Sequence, residues 1–249
     1  MRFFYTVLLA LLFQNTVAVA LDHSHKNWTA QLQTYLNSEG LVNYKAWQKN
    51  QTALDAYLKE LESVDLATYE KFTANEKKAF LINAYNAFTV KLILKNYPVK
   101  SIKKIGGIFS SPWKQEFFSI LDGKIKSLDP IEHEWLRKKP ELKDYRVHAA
   151  VNCASISCPR LAATAFAAEK IDEQMDEAMR LWINDLSRNK LSGDELEISK
   201  IFDWFQDDFG SEKDIKDILS KYANEKNAAY ITPKKDIDHL SYDWNLNEQ

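Results

Sequence analysis

The sequence predicts an α+β fold: a single helix-rich domain with a buried central helix and a small, mainly antiparallel sheet. Three observations carry that expectation. The run Ala79 to Leu94 is apolar on almost every side of a helix axis, which suits a helix in the middle of a domain. Two turn signals, Asp122-Gly123 and Ser192-Gly193-Asp194, stand between short apolar segments and predict hairpins. Tyr145 to Cys153 predicts a buried strand with Tyr145, Val147, Ala149, Val151 and Cys153 on one face and Arg146, His148, Ala150 and Asn152 on the other.

The chain opens with an export signal pattern. Arg2 precedes the apolar run Phe3–Phe13, and Ala18-Val19-Ala20 suits signal peptidase. Residues 1–20 are expected to be a signal peptide and residues 21–249 one globular domain, with a periplasmic or extracellular destination. The apolar run is too short to span a bilayer comfortably, no cysteine follows it for acylation, and no later stretch is long and apolar enough. No stable membrane insertion is expected after cleavage.

Composition narrows the classes further. Seven Trp and eleven Tyr exclude a disordered chain. The net charge of −2, with both signs interspersed, announces no basic face and makes nucleic acid an unsuitable partner.

Residues 21–27 read as a mobile, solvated lead-in carrying His23 and His25. Helical patterns follow at Trp28–Leu36 and Leu54–Leu61. Thr73-Ala-Asn-Glu76 is a capping box, starting a helix expected to end near Asn96, before Pro98. That helix carries Asn83 and Asn86, three residues apart on one face, into the interior. Gly106-Gly107 marks a turn, and Phe117–Leu121 and Lys124–Ser127 flank the first hairpin signal. Asp129 as N-cap, Pro130 at N1 and Glu132 at N3 predict a new helix. Beyond the predicted strand come a turn with Ser155, Ser157 and Pro159, helices at Ala168–Leu186 and Asp214–Tyr222, and a tail, Leu240–Leu246, expected to pack back through Trp244.

The residues able to do chemistry concentrate between Asn83 and Cys158. A buried amide without a partner costs about 1–3 kcal/mol. Asn83 and Asn86 therefore either tie their helix to a neighbouring loop or line a pocket, orienting an imidazole or binding a substrate amide. Glu132 is accounted for by the helix start. His133, in the first turn, meets a positive helix end that disfavours its charged form, leaving a neutral imidazole suited to a base. His148, on the predicted strand, is expected to bond a backbone carbonyl and to face away from Cys153. Cys153 and Cys158, in C-x4-C spacing, allow either a local disulfide or a reactive thiol, helped by a helical turn starting at Pro159 and by Arg160. A zinc site from these cysteines with His133 and His148 matches no standard spacing, so neither metal nor cofactor is expected.

These stretches also carry a resemblance. Phe80-Leu-Ile-Asn-Ala-Tyr-Asn-Ala87, Tyr97-Pro-Val-Lys-Ser-Ile102, Leu128-Asp-Pro-Ile-Glu-His133, Arg146-Val-His148, Asn152-Cys-Ala-Ser-Ile-Ser-Cys-Pro159, Leu196-Glu-Ile-Ser-Lys-Ile-Phe202 and Tyr242-Asp-Trp-Asn-Leu246 occur in that order. Over residues 70–248 the chain resembles the exported bacterial branch of a widespread domain-of-unknown-function family whose plant members carry a leucine zipper. The resemblance implies a shared fold without a settled activity. By match it groups Asn83, Asn86, Glu132, His133, Cys153 and Cys158.

Two functions fit this reading. One is a cysteine-dependent hydrolase or acyl-transfer enzyme on an envelope or extracellular substrate, with Cys153 or Cys158 as nucleophile, His133 as base and an asparagine in support. The other is a non-catalytic envelope protein that binds a peptide, glycan or small molecule and uses a structural Cys153–Cys158 disulfide. A thiol redox role fits C-x4-C less well than the usual C-x-x-C.

Overall fold

The computed structural model describes residues 21–107, 110–192 and 194–249; the expected signal peptide lies outside them. Four helices lead in: α1 (Lys26–Tyr35), α2 (Tyr44–Gln48), α3 (Thr52–Glu62) and α4 (Leu66–Glu70). They pack around α5 (Ala74–Asn96), where Thr73 and Glu76 form the predicted capping box. Every residue from Lys78 to Val90 in α5 is buried. This helix is the axis of the larger hydrophobic cluster. No helix of the described residues is long and apolar enough to cross a membrane.

The helix predicted to start at Asp129 begins earlier. Ser127 is the N-cap, α6 spans Leu128–Pro130, and the chain runs on as a π-helical segment, Ile131–Leu136. Asp129 thus lies inside the first turn, and Glu132 stands beyond position N3. The wide turn is closed by a bond from the Arg137 amide to the Glu132 carbonyl, five residues back.

Two corrections concern strands. Tyr145–Cys153 is not a strand: Val147–Ala150 forms a short helix, α7, whose four residues are all buried. A short apolar run buried on all sides carries no periodicity that separates the two states. The expected mainly antiparallel sheet is also overturned. The described residues hold one sheet, in which β1 (Leu196–Ile198) pairs in parallel with β2 (Ile237–His239), Leu196 opposite Ile237. Between them run α9 (Ile201–Trp204), α10 (Gln206–Phe209), α11 (Glu212–Tyr222) and α12 (Glu225–Ala228), a helical crossover of the kind a parallel pair requires. The hairpin signals survive only as isolated antiparallel bridges, Ile120 with Ile125 and Lys190 with Glu197; Gly193 of the second turn is outside the described residues.

A second hydrophobic cluster gathers around Trp182, Phe202, Phe209 and Leu219. The helix α8 (Ile171–Ile183) joins the two clusters, giving Ile171 and Met175 to the first and Met179 and Trp182 to the second. The C-terminal tail returns as predicted: Trp244 stacks on Trp204 and meets Trp113 edge-on.

Candidate functional site

Asn83 and Asn86, 0% and 2% exposed, turn their amides to neighbouring backbone. The Asn83 amide donates to the Phe166 carbonyl at 2.7 Å and accepts from the Phe166 amide at 3.0 Å. Asn86 donates to the Ala150 carbonyl at 2.9 Å and accepts from the Asn152 amide at 2.8 Å. Each side chain thus stands in for the backbone of a neighbouring strand and satisfies irregular buried chain. The orienting or oxyanion role has no support in these contacts.

Asn86 fixes one end of the segment that carries the cysteines. Asn152 continues the network, accepting from the Ala154 amide at 2.8 Å and donating to the Pro159 carbonyl at 2.8 Å. Ala154 takes a left-handed conformation, φ 58°, and the Cys158 amide closes a turn onto Ser155. The bend brings the Cα atoms of Cys153 and Cys158 to 6.3 Å, and the two are joined as a disulfide. Arg188, paired with Asp185, braces the loop by donating to the carbonyls of Ile156 and Cys158. No helix starts at Pro159, and Arg160 pairs with Asp185; neither device expected to activate a thiol is in place.

The disulfide forms part of the wall of a cavity of about 280 Å³. Glu132, His133, His148, Cys153 and Cys158 all line it, so the structure brings five of the seven predicted residues together. His148 corrects its expected placement: on α7 it faces the same cavity as Cys153. Its Nε2 lies 2.9 Å from Asp208 Oδ2, a carboxylate where a backbone carbonyl was expected. The ring stacks on Phe205 with centroids 4.2 Å apart.

His133 is engaged differently from the expected base. Arg137 Nη1 donates to its Nδ1 at 2.8 Å. A guanidinium only donates, so the Nδ1 lone pair is occupied and the ring proton sits on Nε2. Arg137 is itself paired with Asp208 and lies over Phe205. His133, Arg137, Asp208 and His148 therefore form one chain of contacts behind the cavity wall. Burial opposes ionisation of Asp208, but hydrogen bonds from His148 and Arg137 outweigh it and hold its carboxyl at about 2.

Glu132 is 7% exposed and makes no ion pair with a lysine or arginine among the described residues. Its neighbour is Tyr85, from α5. Burial, together with the charge and hydrogen bond of Glu132, pushes the Tyr85 phenol well above its ordinary value, and Trp113 also bonds it. Tyr242, opposite, bonds Ser155 Oγ at 2.9 Å and approaches Cys153 Sγ at 3.3 Å. Burial, reinforced by Glu132, keeps that phenol protonated too.

Sequence reasoning did not find the rest of the wall, which includes Tyr85, Trp113, Asp129, Trp204, Phe205, Tyr242 and Trp244. Trp204 meets Tyr242 and Trp244 at 4.8 and 5.6 Å between centroids. Tyr85, Asp129, Tyr242 and Trp244 stand inside the motifs that carry the resemblance, which is the one signal that could have marked them. Among the described residues no group of three or more His, Cys, Asp or Glu side chains is arranged to hold a metal ion.

Fold and site together define a helix-rich protein with an aromatic cavity walled on one side by a disulfide. Residues 69–183 match the model of a family described as protein of unknown function, DUF547. The match spans somewhat less than half of the chain. It contains the disulfide, both cavity histidines and Glu132, and stops short of the wall formed by Trp204, Phe205, Tyr242 and Trp244. No curated protein and no solved structure matches the chain.

Proposed function

We propose that the chain is an exported, non-catalytic binding protein whose cavity takes a small amine-bearing ligand with a flat apolar body. The observation that carries this reading is the buried Glu132 carboxylate, without a cationic partner among the described residues, in a cavity also lined by Trp113, Trp204, Tyr242 and Trp244. A buried carboxylate gains most from a charge-assisted donor, and aromatic faces attract cations while covering an apolar body. Asp129 adds a second carboxylate to the rim. The disulfide supports binding over thiol chemistry, because neither sulfur is a free nucleophile. The Arg137 bond to His133 Nδ1 withdraws the imidazole lone pair that a base would use.

Tryptophan fluorescence, read with 2-phenylethylamine and phenylacetate as probes of similar shape and opposite charge, tests the proposal. The amine should quench saturably, the acid should not, and Glu132→Gln should remove the difference. Equal responses to both probes, or none, would overturn the amine-binding reading. A thiol enzyme acting on an envelope substrate would need the disulfide opened first. Quenching that appears only after reduction would favour that reading.

A further inference from the structure

Cleavage after Ala20 would leave Leu21-Asp22-His23 as the first three residues of the protein. A free amine followed by a histidine in third place has a definite coordination chemistry. The α-amino nitrogen, the two intervening amide nitrogens and the imidazole Nδ1 are spaced to close fused chelate rings around one ion in a plane. Square-planar nitrogen sets select Cu(II) or Ni(II), with Cu(II) held the more tightly.

Three features of the folded chain agree with this use. His23 Nδ1 is buried and meets no hydrogen-bond partner among the described residues, and a buried polar atom of that kind calls for an explanation. The other ring nitrogen is turned the opposite way: Nε2 lies 3.6 Å from Glu76 Oε1, with the ring edge-on to Phe72 at 4.5 Å. A carboxylate on the side of the remote nitrogen favours the tautomer with its proton on Nε2, which leaves Nδ1 as a ligand. Finally, the amides of Asp22 and His23 donate no hydrogen bond among the described residues, so their deprotonation breaks no backbone contact. The segment is also better anchored than a solvated lead-in: His25 is 1% exposed and bonds Tyr57 at 2.8 Å.

We propose that the mature N-terminus binds one Cu(II) ion through the Leu21 amine, the amides of Asp22 and His23, and His23 Nδ1, with Glu76 as a positioning residue. Binding expels the two amide protons and any proton on the amine, and no electron is transferred. Three of the four donors come from the backbone, so the site is not a cluster of side chains. The inference rests on the export reading, which sets the start at Leu21.

The test uses secreted, processed protein whose N-terminus has been read by mass spectrometry. A start elsewhere would overturn the cleavage on which the site depends, whatever copper does. With Leu21 confirmed, titration with Cu(II) should give one equivalent bound, with the visible absorption and electron paramagnetic resonance pattern of a planar four-nitrogen site. That signal should vanish in His23→Ala and in a form with one extra residue ahead of Leu21, which keeps both histidines but moves His23 to fourth place. Glu76→Gln preserves the capping box and should weaken binding by about ten-fold. The same signal in the extended form, or no planar signal in protein that starts at Leu21, would overturn the copper site and leave the export reading intact.

Discussion

Replacing Asn83 with leucine keeps the shape of the side chain and removes both bonds to Phe166. The Phe166 amide and carbonyl, on a residue 2% exposed, have no other partner among the described residues to take over from the bonds at 3.0 and 2.7 Å. Each buried group left unpaired costs about 1–3 kcal/mol. The gain from burying leucine in place of an amide offsets part of the sum, so a net loss of about 2–4 kcal/mol is expected. Lys77→Ala on the same helix should change stability by less than about 0.5 kcal/mol. Urea unfolding followed by far-ultraviolet circular dichroism reads both, the midpoint shift multiplied by the unchanged slope giving the difference. If Asn83→Leu unfolds within about 0.5 kcal/mol of the parent, the amide does not satisfy the backbone as described.

Three further outcomes follow from the site. Removing the disulfide by replacing Cys153 and Cys158 with serine should cost about 2 kcal/mol, as expected for so short a loop; equal urea midpoints would contradict a structural role. Because the Asp208 carboxyl is held at about 2, below the unfolded value near 3.9, its contribution is present above that unfolded value and is lost as pH falls toward 2. Asp208→Asn should therefore flatten the acid limb of a stability–pH curve over that window, and an unaltered limb would count against the His148–Asp208–Arg137 contacts. Trp204, 44% exposed, should matter more for ligand than for folding. Trp204→Ala should weaken binding of the amine probe by roughly five-fold, about 1 kcal/mol, and unchanged affinity would remove it from the site.

What could be read in advance was what local chemistry determines. The capping box at Thr73 and Glu76 and the all-round apolar run predicted α5 because both signals lie within the helix itself. Asp122-Gly123 marked a turn correctly, since a turn is local. It could not supply strands, because pairing depends on partners elsewhere, and only the Ile120–Ile125 bridge formed. Tyr145–Cys153 failed for a related reason. Its first half closes its own helical turns, and the Ala150 carbonyl and Asn152 amide are satisfied by the side chain of Asn86, sixty-odd residues away, where a strand neighbour was assumed. Five of the residues singled out near the cysteines line one cavity, but the aromatic wall from Trp204, Phe205, Tyr242 and Trp244 was not foreseen. The tail's return through Trp244 was expected, but not that it and the crossover would meet at the cavity, since that depends on the packing of distant elements.

The central claim is that the cavity binds rather than reacts, with its sulfurs closed in the resting protein. Mass spectrometry of freshly isolated, unreduced protein after alkylation tests it most directly. The account predicts a quantitative Cys153–Cys158 disulfide and no alkylated cysteine at any pH. A cysteine that alkylates in the unreduced protein, with a midpoint below the ordinary thiol value of about 8.5 that moves in His133→Ala, would contradict it and restore the thiol enzyme.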